Sequence, residues 1–422
     1  MYYDRSRRRS SPRRILVLLI LVAFGVFLIA NQNDLRQRVI PPPTPTATRT
    51  AKSYIVEAES QAQTGNLKAA TNAYVQAVSL EPENVEVLVT LARLMALTDR
   101  AADAVKWAER AVQVAPKRAP AQAALALALN FHSGKLGLQG RDLESTKALQ
   151  QALTAAKTAV LLDPDYPEGQ AYLAEIYAEL GDLENAEVSL QKALELDTNR
   201  SEVRRAQGVV LEYQGRYTDA SEAYRQAINL TPNVAYLYLV LGRAYSVIAN
   251  VRGDPALWTS ALETFKQGAQ VDPTDVRLID EWGWMHYQLD QYRDAQEVLE
   301  KATQVDPQAW SPRSHLAATY FARTQYEDSI ESFKLALQMM NDTFDADHYC
   351  VTAKTQSCNR LVQAYSTLGY AYRQLGQCAA GGLGAFRKAL IVRPDDPVAQ
   401  GGYNGCAEDL GTPVPRTPTP RP

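Results

Sequence analysis

Cysteine is scarce, at four in 422 residues, which excludes a disulfide-dense scaffold. Histidine is equally rare, and the four present have no HExxH pair, Gly-rich phosphate loop or serine or cysteine nucleophile motif beside them. Glycine and proline, 22 each, stay near average usage, so collagen-like and wholly low-complexity chains are excluded too. Net positive charge is missing from the bulk of the chain. Residues 1–50 carry nine Arg against Asp4 and Asp34, and Arg416 and Arg421 lie near the end; with a net charge of −3, residues 51–410 hold −12. An acidic body repels phosphate backbones, so nucleic acid is not an expected partner. What is present, 46% apolar and 22% charged residues, suits ordered globular structure.

One long apolar run stands out. Ile15 to Ala30 reads ILVLLILVAFGVFLIA, preceded by Arg5, Arg7, Arg8, Arg9, Arg13 and Arg14. A basic flank before such a run marks the cytoplasmic side of a membrane span, so the N-terminus is expected in the cytoplasm and the remainder on the far side. A cleaved secretion signal is the alternative; the bulky Leu28 in Leu28-Ile29-Ala30 disfavours the cleavage chemistry. The organisation expected is a basic tail at 1–14, an anchor at 15–31, a Pro/Thr-rich linker at 32–50, a repeat body at 51–410 and a Pro/Thr-rich tail at 411–422. Proline tracts such as Ile40–Thr50 and Thr412–Pro422 favour extended polyproline II and build no core.

The body repeats. A phrase that closes a run of helix formers recurs at Pro82, Pro116, Pro164, Thr198, Pro232, Pro273, Pro307, Asn341 and Pro394, at intervals of 34, 48, 34, 34, 41, 34, 34 and 53 residues. The longer intervals read as one unit plus insertions near 133–146, 250–256 and 341–360. Within units, small residues recur where helices cross closely, and Tyr, Phe or Leu recur one turn away. Gly208, Gly215, Ala220, Tyr224, Ala227 and Pro232 form one set; Trp282, Gly283, Ala295, Leu299, Ala302 and Pro307 form another.

This pattern resembles the tetratricopeptide repeat (TPR), a helix-turn-helix unit with the signature W-x₂-L-G-x₂-Y, A-x₃-F and P. The resemblance implies an all-α, right-handed α-solenoid of about nine units, closed by a capping helix over 397–410. It also implies that first helices line a concave groove that takes protein or peptide partners. The exposed stripe of first helices gives Arg205, Glu212, Tyr236, Arg243, Arg277, Trp284, Tyr287, Phe321, Tyr370 and Arg373 in units five to nine. Units one to four give mostly Glu and Ala, among them Glu168 and Glu175. Aromatic residues with Arg favour recognition, so the groove is expected in the C-terminal half.

No catalytic residue, cofactor or metal is expected. His286 occupies the slot of Tyr177, Tyr245 and Tyr320 and reads as packing; His132 reads as ending a helix, and His315 as a repeat-helix residue. The 341–360 insertion crowds Asp342, Asp345, Asp347, His348 and Cys350, but lacks full metal-site spacing and reads as a solvated loop. Antiparallel packing of the last two helices would bring Cys378 beside Cys406, and the insertion is short enough for Cys350 to meet Cys358. These two bridges are expected if the body is exported, with free thiols as the alternative. The function expected is a membrane-anchored, non-catalytic scaffold assembling envelope or extracytoplasmic complexes. The alternative is a regulatory subunit of a cell-wall or polysaccharide export enzyme.

Overall fold

The computed structural model describes residues 11–30, 49–139, 141–353 and 355–411. Most of the basic tail, the linker over 31–48 and the tail over 412–422 lie outside the described residues. The chain divides into two units, Met1–Thr50 and Ala51–Pro422. The first contributes helix α1 (Pro12–Ala30), which buries none of its residues and has a mean hydropathy of 2.5 over its most apolar window. It starts early enough to include Arg13 and Arg14, and its 19 residues extend roughly 28 Å, close to a ~30 Å hydrocarbon core.

The second unit is helical, with no strand among the described residues. Its helices pair as α2 (Ala51–Gln63) with α3 (Leu67–Leu80), α4 (Val85–Leu97) with α5 (Ala101–Val114), and α6 (Ala119–Leu138) with α7 (Asp142–Leu162). Next come α8 (Pro167–Glu179) with α9 (Leu183–Leu196), α10 (Ser201–Tyr213) with α11 (Tyr217–Leu230), and α12 (Ala235–Arg252) with α13 (Pro255–Val271). The series continues with α14 (Val276–Gln288) and α15 (Tyr292–Val305), then α16 (Trp310–Ala322) and α17 (Tyr326–Phe344). A short α18 (Ala346–Tyr349) precedes α19 (Gln356–Gln374), which pairs with a π-turn at Cys378–Gly382 leading into α20 (Leu383–Val392); α21 (Pro397–Asp409) packs last.

Local chemistry sets the boundaries. Asn66, Asn84, Asp182, Asp254, Asp275 and Asp396 cap helix starts, each side chain accepting a free backbone N–H in the first turn. Packing is dominated by small residues: Ala58, Ala70, Ala104, Ala108, Ala174, Ala206, Ala227, Ala261, Ala302 and Ala336 are fully buried. At two crossings even a methyl is too large, since a Cβ on Gly208 would overlap the Tyr224 ring and one on Gly242 the Phe265 ring.

The added lengths are not loops. The segment near 133–146 lengthens α6 and α7 to 20 and 21 residues, against 13 and 14 in the preceding hairpin, so His132 lies inside a helix rather than at its end. The segment near 250–256 lengthens α12 and α13 to 18 and 17 residues. Asn341 does not close a helix either: α17 runs on to Phe344 and ends at Asp345, whose φ is 48°. The 341–360 segment is not a solvated loop. Ala346 and Cys350 are buried, and the Asp347 carboxylate accepts Tyr365 Oη–H at 2.6 Å and Lys388 Nζ–H at 2.8 Å, which ties the segment to α19 and α20.

The array also touches itself across five repeats. Asn233 Nδ2 donates to the Ala62 carbonyl at 2.5 Å, Arg277 Nη2 to the Leu97 carbonyl at 3.4 Å, and Tyr349 Oη to Asp142 at 3.0 Å. The first repeat thereby meets the sixth and the second meets the seventh.

The turn between paired helices needs one left-handed residue. Gly65, Gly181, Gly215 and Gly376 fill it at φ 83°, 78°, 75° and 68°, while Thr324 fills the same place at φ 60°. A β-branched residue is strained there, and Thr324 is exposed. Thr324→Gly is therefore expected to stabilise the fold by about 1 kcal/mol, read as a rise in the urea midpoint at unchanged slope.

Candidate functional site

First helices of repeats two to six fill the side they share with their own side chains. Arg205 of α10 reaches α8, where Nε and Nη2 donate to the two Glu175 carboxylate oxygens at 2.9 and 3.0 Å. Both side chains are only 3% exposed. The guanidinium lies 5.7 Å from the Phe131 ring centroid and 5.6 Å from that of Tyr172. Arg93 of α4 pairs with Glu202 of α10, Arg200 with Glu168 at 2.7 Å, and Asn130 donates to Glu179 at 3.0 Å. The Tyr236 ring packs on Phe131 at a centroid distance of 5.0 Å.

This interior shifts its acids. Burial, reinforced by the Glu175 charge, pushes Glu179 up to about 7 from an ordinary 4.5, against its hydrogen bond from Asn130. Burial likewise pushes Glu212 up to about 7, opposed by Tyr224 Oη–H at 2.9 Å and by Arg243. Burial works against the charge of Arg205, and the Glu175 carboxylate outweighs it, so the guanidinium is held more firmly protonated than usual.

Repeats seven to nine differ. A depression of about 250 Å³ opens there, lined by Trp284, His315, Phe333, Asn359, Arg360 and Gln363 among others. Trp284 of α14 stacks on Tyr287, one turn on, at 4.6 Å and 7°, and on His315 of α16 at 4.2 Å and 18°. His315 Nδ1 donates to Asp280 Oδ1 at 2.7 Å, and Ser311 Oγ to Asp280 Oδ2 at 2.6 Å. Burial opposes the Asp280 charge; His315, both hydrogen bonds and Arg360 outweigh it and hold the carboxyl below its ordinary range. Arg360 Nη1 donates to Ser311 Oγ at 3.1 Å, and the guanidinium lies 6.0 Å from the Trp310 ring centroid.

The residues of the concave stripe therefore separate. Arg205 is not offered to a partner, because it is buried against Glu175. Arg277 is held by Asp275 at 2.6 Å and reaches Asp99 at 3.7 Å, so it closes the array on itself; Tyr236 is packed on Phe131. Tyr370 and Arg373 hold the last helix: Tyr370 Oη donates to the Val398 carbonyl at 3.1 Å, and Arg373 Nε to Asp409 at 2.8 Å. Phe321 tilts against Tyr326 at 5.5 Å. Arg243 is 53% exposed and pairs with Glu281 at 3.0 Å. Of the stripe, Trp284 borders the depression and Tyr287 stacks beside it.

Asp280, Ser311, Asn359, Arg360 and Gln363 were not singled out from the sequence, and His315 reads there only as a repeat-helix residue. The stripe follows the residue just after the small crossing position, Trp284 after Gly283, whereas Asp280 and His315 precede Gly283 and Ala317 by three and two residues. Cys350 is bonded to Cys358 and Cys378 to Cys406, with Cα atoms 5.2 and 5.3 Å apart.

Family models described as TPR repeat and tetratricopeptide repeat match residues 61–128, 145–209, 208–246 and 281–343. The chain belongs to the tetratricopeptide repeat family, whose members bind peptides or proteins as interaction scaffolds and are typically non-catalytic. A curated relative, Superkiller complex protein 3 of Mus musculus, is 24% identical over 245 residues, covering 50% of this chain and 16% of that protein. This chain thus matches about one sixth of that relative's length. Among solved structures, Pseudomonas aeruginosa PilF is similar at 16% identity and a TM-score of 0.45, covering 57% of this chain and 97% of that one. The Cut9–Hcn1 structure of the APC/C is similar at 13% identity and a TM-score of 0.48, covering 85% and 70%.

Two outcomes follow from the filled interior. Arg205→Ala strands Glu175 in the core and should lower stability by about 3–5 kcal/mol, whereas Arg243→Ala, exposed, should change it by less than ~0.5 kcal/mol; urea denaturation of the two variants checks the contrast. Glu179 and Glu212 bind protons more tightly folded than unfolded. Their contribution to stability is accordingly full below about 4.5 and is lost as pH rises through about 7. Glu179→Gln should remove on the order of 2 kcal/mol of that decline, seen by comparing urea midpoints at acidic and mildly alkaline pH.

Proposed function

We propose that this protein is a membrane-anchored scaffold whose repeat body lies on the far side of the membrane. There it captures a segment of a partner protein in the depression of repeats seven to nine and performs no catalysis of its own. The observation that carries this reading is the contrast along the concave side. Repeats two to six occupy their inner surface with Arg205–Glu175, Arg93–Glu202 and the Phe131–Tyr236 contact, while the surface around Trp284 is left open. An open, preorganised aromatic residue beside neutral polar groups is what a recognition surface needs.

Export is supported by two features. Helix α1 is long and apolar enough to cross a membrane, although a secretion signal meets the same test, and six Arg precede or open it. All four cysteines are paired, which suits an oxidising compartment. The envelope complexes assembled there are the proposed setting of the scaffold.

The test is capture of partners from membrane extracts by the full chain. Trp284→Ala combined with Gln363→Ala should abolish enrichment of the wild-type partners while helical circular dichroism stays unchanged. Val188→Ser, on the 65% exposed Val188 of a second helix, should retain them. Undiminished capture by the double variant overturns the assignment of the depression.

A further inference from the structure

Arg360 forms no direct ion pair with any carboxylate among the described residues, and of its five N–H donors one is spent on the neutral Ser311 hydroxyl. Its charge reaches the Asp280 carboxylate only through space, and that carboxylate is engaged by His315 at Oδ1 and by Ser311 at Oδ2. Half-buried guanidinium groups are usually neutralised, because water solvates them incompletely and carboxylates fit their fork.

His315 supplies a second, independent sign. It is 6% exposed and lines the same depression; its Nδ1 is engaged, and its Nε2 has no partner among the described residues. Around these two groups stand the amides of Asn359 and Gln363 and the hydroxyl of Thr367, with Ala318, Phe333 and Ala364 supplying an apolar wall. Arg393 adds another cation at the edge, where it donates to Asn359 Oδ1. Glu281, on the same helix as Trp284, is paired with Arg243 at 3.0 Å. Arg360 is thus the charged residue among those lining the depression, on an otherwise acidic body.

We propose that the depression receives an acidic side chain of the partner segment, its carboxylate seated on the Arg360 guanidinium while the His315 Nε2 lone pair accepts a backbone N–H of the same segment, with an apolar neighbour of that residue against Phe333 and Ala364. This rests on the reading that repeats seven to nine capture a partner. The cavity, about 250 Å³, is below the ~300–1,000 Å³ usual for small-molecule sites, so it suits one or two side chains of a docked chain better than a free metabolite. The Asp280–His315 contact holds the imidazole ring, and the Trp284 stack fixes its plane, so the segment meets an acceptor that is already oriented.

Binding of short fluorescent peptides to the full chain in detergent tests this. Three peptides share an apolar residue beside a central Glu, Gln or Lys, each with an amidated C-terminus, and a fourth carries the central Gln with a free terminal carboxylate. The Glu peptide should bind at least about tenfold more tightly than the Gln and Lys peptides, and more weakly as salt rises. Arg360→Gln should erase that preference, and Arg360→Lys should keep part of it, with thermal unfolding confirming that both variants fold. Equal binding of the Glu and Gln peptides, or an unaltered preference in Arg360→Gln, overturns the proposal. So does tight binding of the free-terminus Gln peptide alone, or displacement of the Glu peptide by inorganic phosphate at concentrations where chloride has no effect. Should Trp284→Ala still capture every protein partner, the capture reading fails first; should Trp284→Ala lose them while no peptide prefers Glu, only the acidic assignment fails.

Discussion

Close approach of helix backbones at alanine and glycine is the constraint on which the rest of this structure leans. Ala104, Ala108 and Ala111 on α5, or Ala220, Ala223 and Ala227 on α11, present a smooth strip that lets a neighbouring helix settle against it. Gly208 and Gly242 take the same role where the opposing group is a Tyr or Phe ring. Each hairpin then buries its remaining apolar face against the next one, so the core is a succession of clusters along the array. The cluster that begins at Ala58 runs through to Val210, and Tyr236 and Tyr245 pack against both the cluster of Leu211–Ala244 and that of Ala235–Ala302. A shift at one crossing changes the rotation between repeats and is passed along the array.

That transmitted rotation explains why the concave side is divided. An extended array of repeats has nearest-neighbour contacts only. Here the coil is tight enough for Asn233 to reach Ala62 and for Arg277 to reach Leu97 and Asp99, and these contacts close the N-terminal part of the groove. Polar side chains caught inside must then find partners, because an unpaired buried charge costs several kcal/mol. Glu175, Glu202 and Glu168 find Arg205, Arg93 and Arg200, while Glu179 settles for Asn130 and a raised proton affinity. The contacts of repeat seven with repeat two run through Arg277 at the start of α14, and Trp284, two turns further on, lies outside them beside the depression.

How much of this could be read from the chain follows from which interactions are local. The hairpins were legible because their signals sit within a few residues: Gly181 at a turn, Asp182 capping the next helix, Pro164 after the previous one. Added lengths were misread where those signals are missing. Gly134 and Gly137 lie inside α6 without ending it, and the helix expected to close at Asn341 runs to Phe344, where Asp345 supplies the left-handed bend. The fate of Arg205 and Arg277 was illegible because it depends on residues 30 and about 180 positions away, Glu175 and Leu97, brought near by the summed rotation of several repeats. His315 reads as an ordinary repeat-helix residue for a similar reason, its surroundings being set by Asp280 and Trp284 in the preceding repeat.

The last helix shows how the open stretch acquires its far boundary. Helix α21 carries Gly401, Gly402 and Gly405, and each helical glycine costs roughly 1 kcal/mol of intrinsic propensity. Two of them are required by contact: a Cβ on Gly402 would overlap the Phe386 ring, and one on Gly405 would overlap the Arg373 guanidinium. The helix can therefore lie flat on α19 and α20, where Tyr370 and Arg373 are hydrogen-bonded to it. The bridge from Cys378 to Cys406 closes a loop of separation 28, and by chain entropy such a crosslink contributes about 3–4 kcal/mol, enough to offset the glycines. Because the cap covers the positions after Gly369, the inner surface ends at Thr367, and the depression is confined to Trp284, His315 and Arg360 by what packs on either side of it.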